Sequence, residues 1–159
     1  MFPKPTSLRL PWYDKEMTIF TTPATVRMYD TDAAGILFFA NQFRFVQDAF
    51  EAFLESGGFP FSEMFSRSEV LFVVVSAKAN YHAPLLVGDH LAIQVAVLKI
   101  GNTSFTMEYQ LLRGDQIVGN AQMTHVCINR ENRSKTPIPE KFRGFLDAHV
   151  LDLFASTSR

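Results

Sequence analysis

The chain has 159 residues, 47% of them hydrophobic and 19% charged, with a formal net charge of −1. That is enough for one domain with a proper core, too apolar for a disordered chain, and too close to neutral for a broad nucleic-acid or membrane-surface partner. A single cysteine, Cys127, excludes an internal disulfide framework, and the longest strongly apolar run, residues 70–75, is too short to cross a bilayer.

Residues 1–16 read as an extended N-terminal arm. Pro3, Lys4, Pro5, Arg9 and Pro11 interrupt any apolar signal segment there, so a cytoplasmic protein is expected. A domain over residues 17–139 and a C-terminal helix or tail over 140–159 follow. The first strand is expected within 17–29, with Pro23 marking an edge or bulge. A small, glycine-containing bend comes next, from Asp30 to Gly35. A helix is then expected from Asn41 to Ser56. Phe43, Val46, Phe50, Phe53 and Leu54 recur there at 3.6-type spacing, with Arg44, Gln47, Asp48, Glu51 and Glu55 between them. The Asn41 side-chain oxygen suits an N-cap, and Gly57-Gly58 supplies the stop. Six phenylalanines between Phe38 and Phe53 predict a helix enclosed by other elements.

Residues 57–68 read as a loop whose Phe59-Pro60-Phe61 lids a cavity. Four strands should follow. Residues 69–81 are rich in β-branched side chains and expected to be buried along much of their length. His90–Ile100 alternates, with Leu91, Ile93, Val95 and Val97 on one face. Gly101-Asn102 turns it tightly into 103–113, and Gly114-Asp115 leads on to 116–129. Pro139 then opens a helix carrying Phe142, Phe145, Leu146 and Val150. The class is α+β, an antiparallel sheet curled around one long central helix.

Few residues suit chemistry. His82, His90, His125 and His149 lack short ligand spacing and Cys127 lacks a second cysteine, so neither a metal nor another cofactor is expected. No phosphate-cradling glycine loop and no G-x-S-x-G elbow occurs. Cys127 sits between Val126 and Ile128 and reads as core. Asp30 and Asp32 remain, and two readings stay open. They are turn formers, as aspartates commonly are. Or Asp32 works on a substrate: Ala33-Ala34-Gly35 leaves room for close approach, a helix N-terminus follows, and Ile36-Leu37-Phe38-Phe39 forms an apolar wall.

The stretch Tyr29-Asp30-Thr31-Asp32-Ala33-Ala34-Gly35-Ile36-Leu37-Phe38-Phe39-Ala40-Asn41 resembles the signature of hotdog-fold acyl-CoA thioesterases of the 4-hydroxybenzoyl-CoA thioesterase type. Thr124-His125-Val126-Cys127-Ile128-Asn129, with Arg133 shortly after, resembles the last-strand motif of 1,4-dihydroxy-2-naphthoyl-CoA hydrolases, which serve phylloquinone and menaquinone synthesis. The resemblance covers residues 24–142. It implies a hotdog fold, hydrolysis of an acyl-CoA thioester, and a homodimer or homotetramer with shared active sites. Asp32 would be the catalytic carboxylate and the Phe39 backbone N–H the oxyanion contact. Gly35, Phe38, Asn41 and Phe43 would meet the acyl group, and Lys99, Gly101, Asn102, Thr103 and Ser104 the CoA nucleotide. Many relatives carry histidine where Phe39 stands, so Asp32 would act without that partner. The alternatives are a broad aliphatic or aromatic acyl-CoA thioesterase and a non-enzymatic acyl-CoA binder. A hotdog dehydratase would need a histidine on the helix, and residues 41–56 contain none.

Overall fold

The structure, a computed structural model, describes residues 19–151. The expected arm over 1–16, residues 17 and 18, and residues 152–159 of the expected tail lie outside the described residues. Five strands, β1 (Phe20–Thr25), β2 (Val70–Tyr81), β3 (His90–Ile100), β4 (Ser104–Arg113) and β5 (Gln116–Asn129), form one sheet in the order β1-β3-β4-β5-β2. Every pairing is antiparallel. The long helix α1 (Gln42–Ser56) packs on its inner face. The expected α+β hotdog architecture is met.

Two periodicities build the core. On α1, Phe45, Val46, Ala49, Phe50, Phe53 and Leu54 are buried, one stripe at 3.6-type spacing. On the sheet, Leu91, Ile93, Val95 and Val97 of β3 and Phe105, Met107, Tyr109 and Leu111 of β4 alternate inward to meet it. Each such side chain contributes about 1.5–3 kcal/mol on full burial. Phe53 is fully buried, with its ring edge-on to Phe20 at 5.6 Å, so Phe53→Ala should cost about 3–5 kcal/mol. The helix stops where expected: Gly58 takes a left-handed φ of +81°, and the N–H groups of Gly57 and Phe59 both return to Leu54 O.

Several local expectations change. The first strand does fall within 17–29, and the chain leaves it after Thr25. Asp30 draws the chain into a 3₁₀ turn at Met28–Asp30 by accepting the Arg27 N–H at 2.8 Å. Pro23 does lie on an edge strand, opposite Ala92. Asn41 makes no side-chain cap; its amide donates to Asp30 O at 2.9 Å, and a 3₁₀ turn at Phe39–Asn41 precedes α1. Residues 57–68 are not all loop, because they include the short helix α2 (Phe61–Arg67). Arg130, at the end of β5, holds its exit by donating to Met64 O and Ser68 O. The β2 strand is not buried. It forms the second edge of the sheet, and none of its residues is buried. The turn after β3 is one residue longer than expected, so β4 starts at Ser104. The last helix, α3 (Glu140–Asp147), buries Phe142 and Leu146, while Val150 lies beyond it and bridges to Val97.

Candidate active site

The bend that carries Asp32 is built around its neighbour. Asp30 is 1% exposed. Its carboxylate accepts the Arg27 N–H and two bonds from Arg44 of α1, at 3.0 and 2.6 Å, and its carbonyl accepts the Phe38 N–H and the Asn41 amide. Asp30 therefore supports the bend, as the turn-former reading expects. Beyond it the chain doubles back. The Asp32 N–H donates to Ile36 O, the Gly35 N–H donates to Asp32 O, and Thr31 bridges to Leu37. Gly35 closes this turn at a φ of +74°, which disfavours a side chain there even though the space beside it is open. The result presents Asp32 outward. Its Oδ1 accepts the Ala34 N–H at 2.8 Å, and its other oxygen faces solvent space.

Asp32 lines a cleft of about 410 Å³ with Ile36, Phe39, Gln42, Tyr81 and His82. Among the described residues the Phe39 N–H has no hydrogen-bond partner, as befits the first residue of a helical entrance. Its carbonyl is held instead, by the Tyr81 hydroxyl at 2.8 Å. The far wall, Ala83–Leu85, is fixed from behind: the Leu37 N–H donates to Leu85 O. The Leu86 N–H and the Arg113 guanidinium bond the Asp89 carboxylate and hold it below the usual carboxylate range. Asp32, with one carboxylate oxygen unbonded, and Phe39, with its N–H unpaired among the described residues, thus line one cleft.

The other expected contacts are distributed more widely. Gly35, Phe38, Asn41 and Phe43 do not line this cleft. Phe38 and Phe39 stack edge to face at 4.7 Å but are 40% and 62% exposed, so the expected apolar wall is open in a single chain. The Gly101–Ser104 turn closes through Gly101 N–H to Ser104 O, and Arg143 of α3 donates to Gly101 O and Asn102 O. Lys99 beside it is exposed. This turn lies at the opposite end of the sheet from Asp32. Tyr81 pairs with Gly119 and Ser104 with Val126, seven residues along β5, or about 23 Å at roughly 3.3 Å per residue. His125 is buried between the Phe50 and Phe105 rings, and burial pushes its imidazole down to about 4. Cys127 is fully buried in the core, and burial pushes its thiol up to about 11. Among the described residues no group of three or more His, Cys, Asp or Glu side chains is placed to hold a metal.

The sequence pattern of the thioesterase-like superfamily matches residues 26–146, which span the bend, α1 and all but the first strand. The chain belongs to that superfamily. It is 35% identical over 133 residues to a 1,4-dihydroxy-2-naphthoyl-CoA hydrolase of Nostoc punctiforme, covering 84% of this chain and 90% of that one. It superposes on a 1,4-dihydroxy-2-naphthoyl-CoA thioesterase from Synechocystis with a TM-score of 0.76 at 26% identity, over 80% of this chain and 95% of the other. It superposes on the gentisyl-coenzyme A thioesterase BH1999 with a TM-score of 0.74 at 29% identity, over 80% and 99%.

Two polar side chains of this thioesterase-like site were not foreseen. Tyr81 reaches the cleft from the end of β2, and Gln42 from the first turn of α1. Gln42 carried a signal: it stands at position i of a set whose members at i+3, i+4 and i+7 are Phe45, Val46 and Ala49, all apolar. A glutamine on that stripe must find buried partners. His82, which lacked any metal-ligand spacing, also lines the cleft; its imidazole has no hydrogen-bond partner among the described residues.

Proposed function

We propose that this protein hydrolyses an acyl-CoA thioester to the free acid and coenzyme A, with 1,4-dihydroxy-2-naphthoyl-CoA as substrate, in the cytoplasm and in the service of phylloquinone or menaquinone synthesis. The observation that carries it is the meeting of the Asp32 carboxylate and the unpaired Phe39 N–H in one cleft. The naphthoyl assignment draws on the Nostoc hydrolase and the Synechocystis thioesterase.

The chemistry asks little of the protein. Asp32 supplies the oxygen end of the reaction. It either attacks the thioester carbonyl to form a mixed anhydride that water then cleaves, or takes a proton from the attacking water. In both routes the carbonyl oxygen becomes an anion beside the Phe39 N–H, a donor whose loss elsewhere costs roughly 2.7–4 kcal/mol. The carbon–sulfur bond breaks with its electron pair on sulfur. A thiol with a pKa of about 8.5 leaves without strong acid help and then takes up a proton. Water is consumed overall, its hydroxyl going to the acyl carbon. His82, which lines the cleft, would be the group to meet a ring hydroxyl, and such a contact discriminates because an unmatched buried polar group is penalised.

The same reading calls for a second copy. The edge of β2 is unpaired among the described residues and carries the exposed Val74 and Val75. A long apolar edge of this kind invites strand pairing. Two-fold antiparallel pairing of β2 with β2, centred near Val75 and Ser76, would lay the Asp32 end of one chain beside the Gly101–Ser104 end of its copy. That supports a homodimer, or a homotetramer built from it, with each site shared.

The gentisyl-coenzyme A thioesterase favours a second reading, a smaller hydroxylated aromatic acyl group. The test is kcat/KM for naphthoyl, gentisyl, benzoyl and straight-chain thioesters under one condition. The naphthoyl thioester should lead. A straight-chain thioester that matches it ends the quinone-pathway assignment and leaves the hydrolase assignment standing.

A further inference from the structure

On the side of the bend, the Phe39 N–H is held only through its neighbours, since the Phe38 N–H and the Asn41 amide both reach Asp30 O. The first turn of α1 has no side-chain cap, and the preceding 3₁₀ turn has none either. An uncapped helix entrance is free to fray, which suits a structural end and not an oxyanion donor. Two contacts tie it to the sheet. The Tyr81 hydroxyl takes Phe39 O. Gln42, three residues along and 1% exposed, sends its side-chain N–H₂ to Asn120 O at 2.9 Å and Asn80 O at 3.3 Å. Those two carbonyls belong to facing residues of β5 and β2, so one carboxamide bridges both strands.

The other half of the carboxamide is fitted as closely. A Cβ built on Gly119 would stand 2.7 Å from Gln42 Oε1 and 3.2 Å from its Cδ. Gly119 lies inside β5, where glycine weakens a strand and often marks the close approach of another group. The approaching groups here are the Gln42 carboxamide and the Asn80 carbonyl, the latter 3.1 Å from that Cβ. Because both carboxamide hydrogens are spent on carbonyls, the reverse orientation would press an oxygen against two oxygens, and the group is locked in one orientation.

We propose that Gln42 is a positioning residue. Its carboxamide, seated on Gly119 and bridging Asn80 and Asn120, fixes the height of the Phe39 N–H over the reacting carbonyl, with Tyr81 as the second tether. The inference rests on the thioesterase reading of the Asp32 cleft. A shift of about 1 Å in such a group costs up to about 100-fold in rate.

The experiment compares three variants of the full chain. Gln42→Met removes the bridge at similar volume, Gly119→Ala pushes the carboxamide from below, and Tyr81→Phe releases the other tether. Expected is a 10- to 100-fold fall in kcat with KM within twofold, accompanied by faster amide hydrogen exchange at Phe38 and Asn41, the hydrogen-bonded N–H groups on either side of Phe39, while β3 and β4 stay protected. Unchanged kcat in folded variants, or a rise in KM that accounts for the whole loss, overturns the proposal. Tyr81 is half exposed, so Tyr81→Phe tests the second tether in a folded protein, and Gln42→Asn, which keeps a carboxamide but withdraws it from both carbonyls, decides the matter should the two buried variants fail to fold. Absence of thioester turnover in the unmodified protein would instead be a failure of the thioesterase reading. In that event, exchange rates at Phe38 and Asn41 equal to wild type would still overturn the tether.

Discussion

The Asp30 carboxylate and the Arg44 guanidinium meet twice, at 2.6 and 3.0 Å, and this pair rivets the aspartate bend to the central helix. Arg44 continues to Asp48 at 3.1 Å and lies over the Phe45 ring. Asp30 is buried while Arg44 is 40% exposed, so a lost partner leaves a guanidinium that can still reach water. The penalty therefore falls below that of a fully buried pair, at about 2 kcal/mol.

Asp30 and Asp32 should consequently part company on mutation. Asp30→Asn is expected to lower Tm by roughly 4–8 °C for that loss, with kcat reduced only mildly. Asp32→Asn should leave Tm near wild type, because its carboxylate is exposed and makes one local bond, yet lose at least about 100-fold in kcat. Calorimetry and a steady-state assay on the two variants check both halves. Near-native turnover in Asp32→Asn would remove its catalytic role, whereas no turnover in the unmodified protein would favour an acyl-CoA binder.

Assembly should be visible at the β2 edge. The unmodified protein is expected to be a dimer or tetramer at micromolar concentration. Val75→Lys, placing a charge at the exposed centre of β2, should shift it toward monomer and reduce turnover at least tenfold. Light scattering alongside the assay measures this. A clean monomer that hydrolyses acyl-CoA at full rate would refute the shared site.

His125 predicts a pH effect on stability. Burial between two phenylalanine rings lowers its folded pKa to about 4 from 6.5, so the folded protein holds a neutral imidazole where the unfolded chain binds a proton. Its contribution is complete above pH 6.5 and is lost as pH falls toward 4. With 1.36 kcal/mol per pKa unit the full loss is about 3 kcal/mol, of which about 2 kcal/mol is gone by pH 5. His125→Phe should flatten this decline. Denaturant midpoints at pH 7 and pH 5 for the two proteins give the comparison.

What was readable beforehand follows the range of the forces involved. Helix α1 and strands β3, β4 and β5 declare themselves through their own periodicity, and their bounds fall within a residue of expectation. Helix α2 does not, since seven residues carry little pattern and its exit depends on Arg130 from a distant strand. The composition of β2 fits a buried strand and an interface strand equally well, and only the sheet order reveals an edge. At the site, Asp32 and Phe39 are legible in a local motif. Gln42 and Tyr81 acquire their roles through contacts 38 to 78 residues away in sequence, which no local pattern encodes.

The burial of Cys127 has a practical side. It is the sole cysteine of the chain, and its thiol is both sealed in the core and held protonated at neutral pH. A disulfide dye added to follow turnover needs a thiolate, and a buried cysteine of this kind is inert to it. Released coenzyme A, with an ordinary thiol, is the species that colours the solution. The folded protein therefore needs no alkylation before such an assay, and a slow dye reaction in the absence of substrate would report the core coming open.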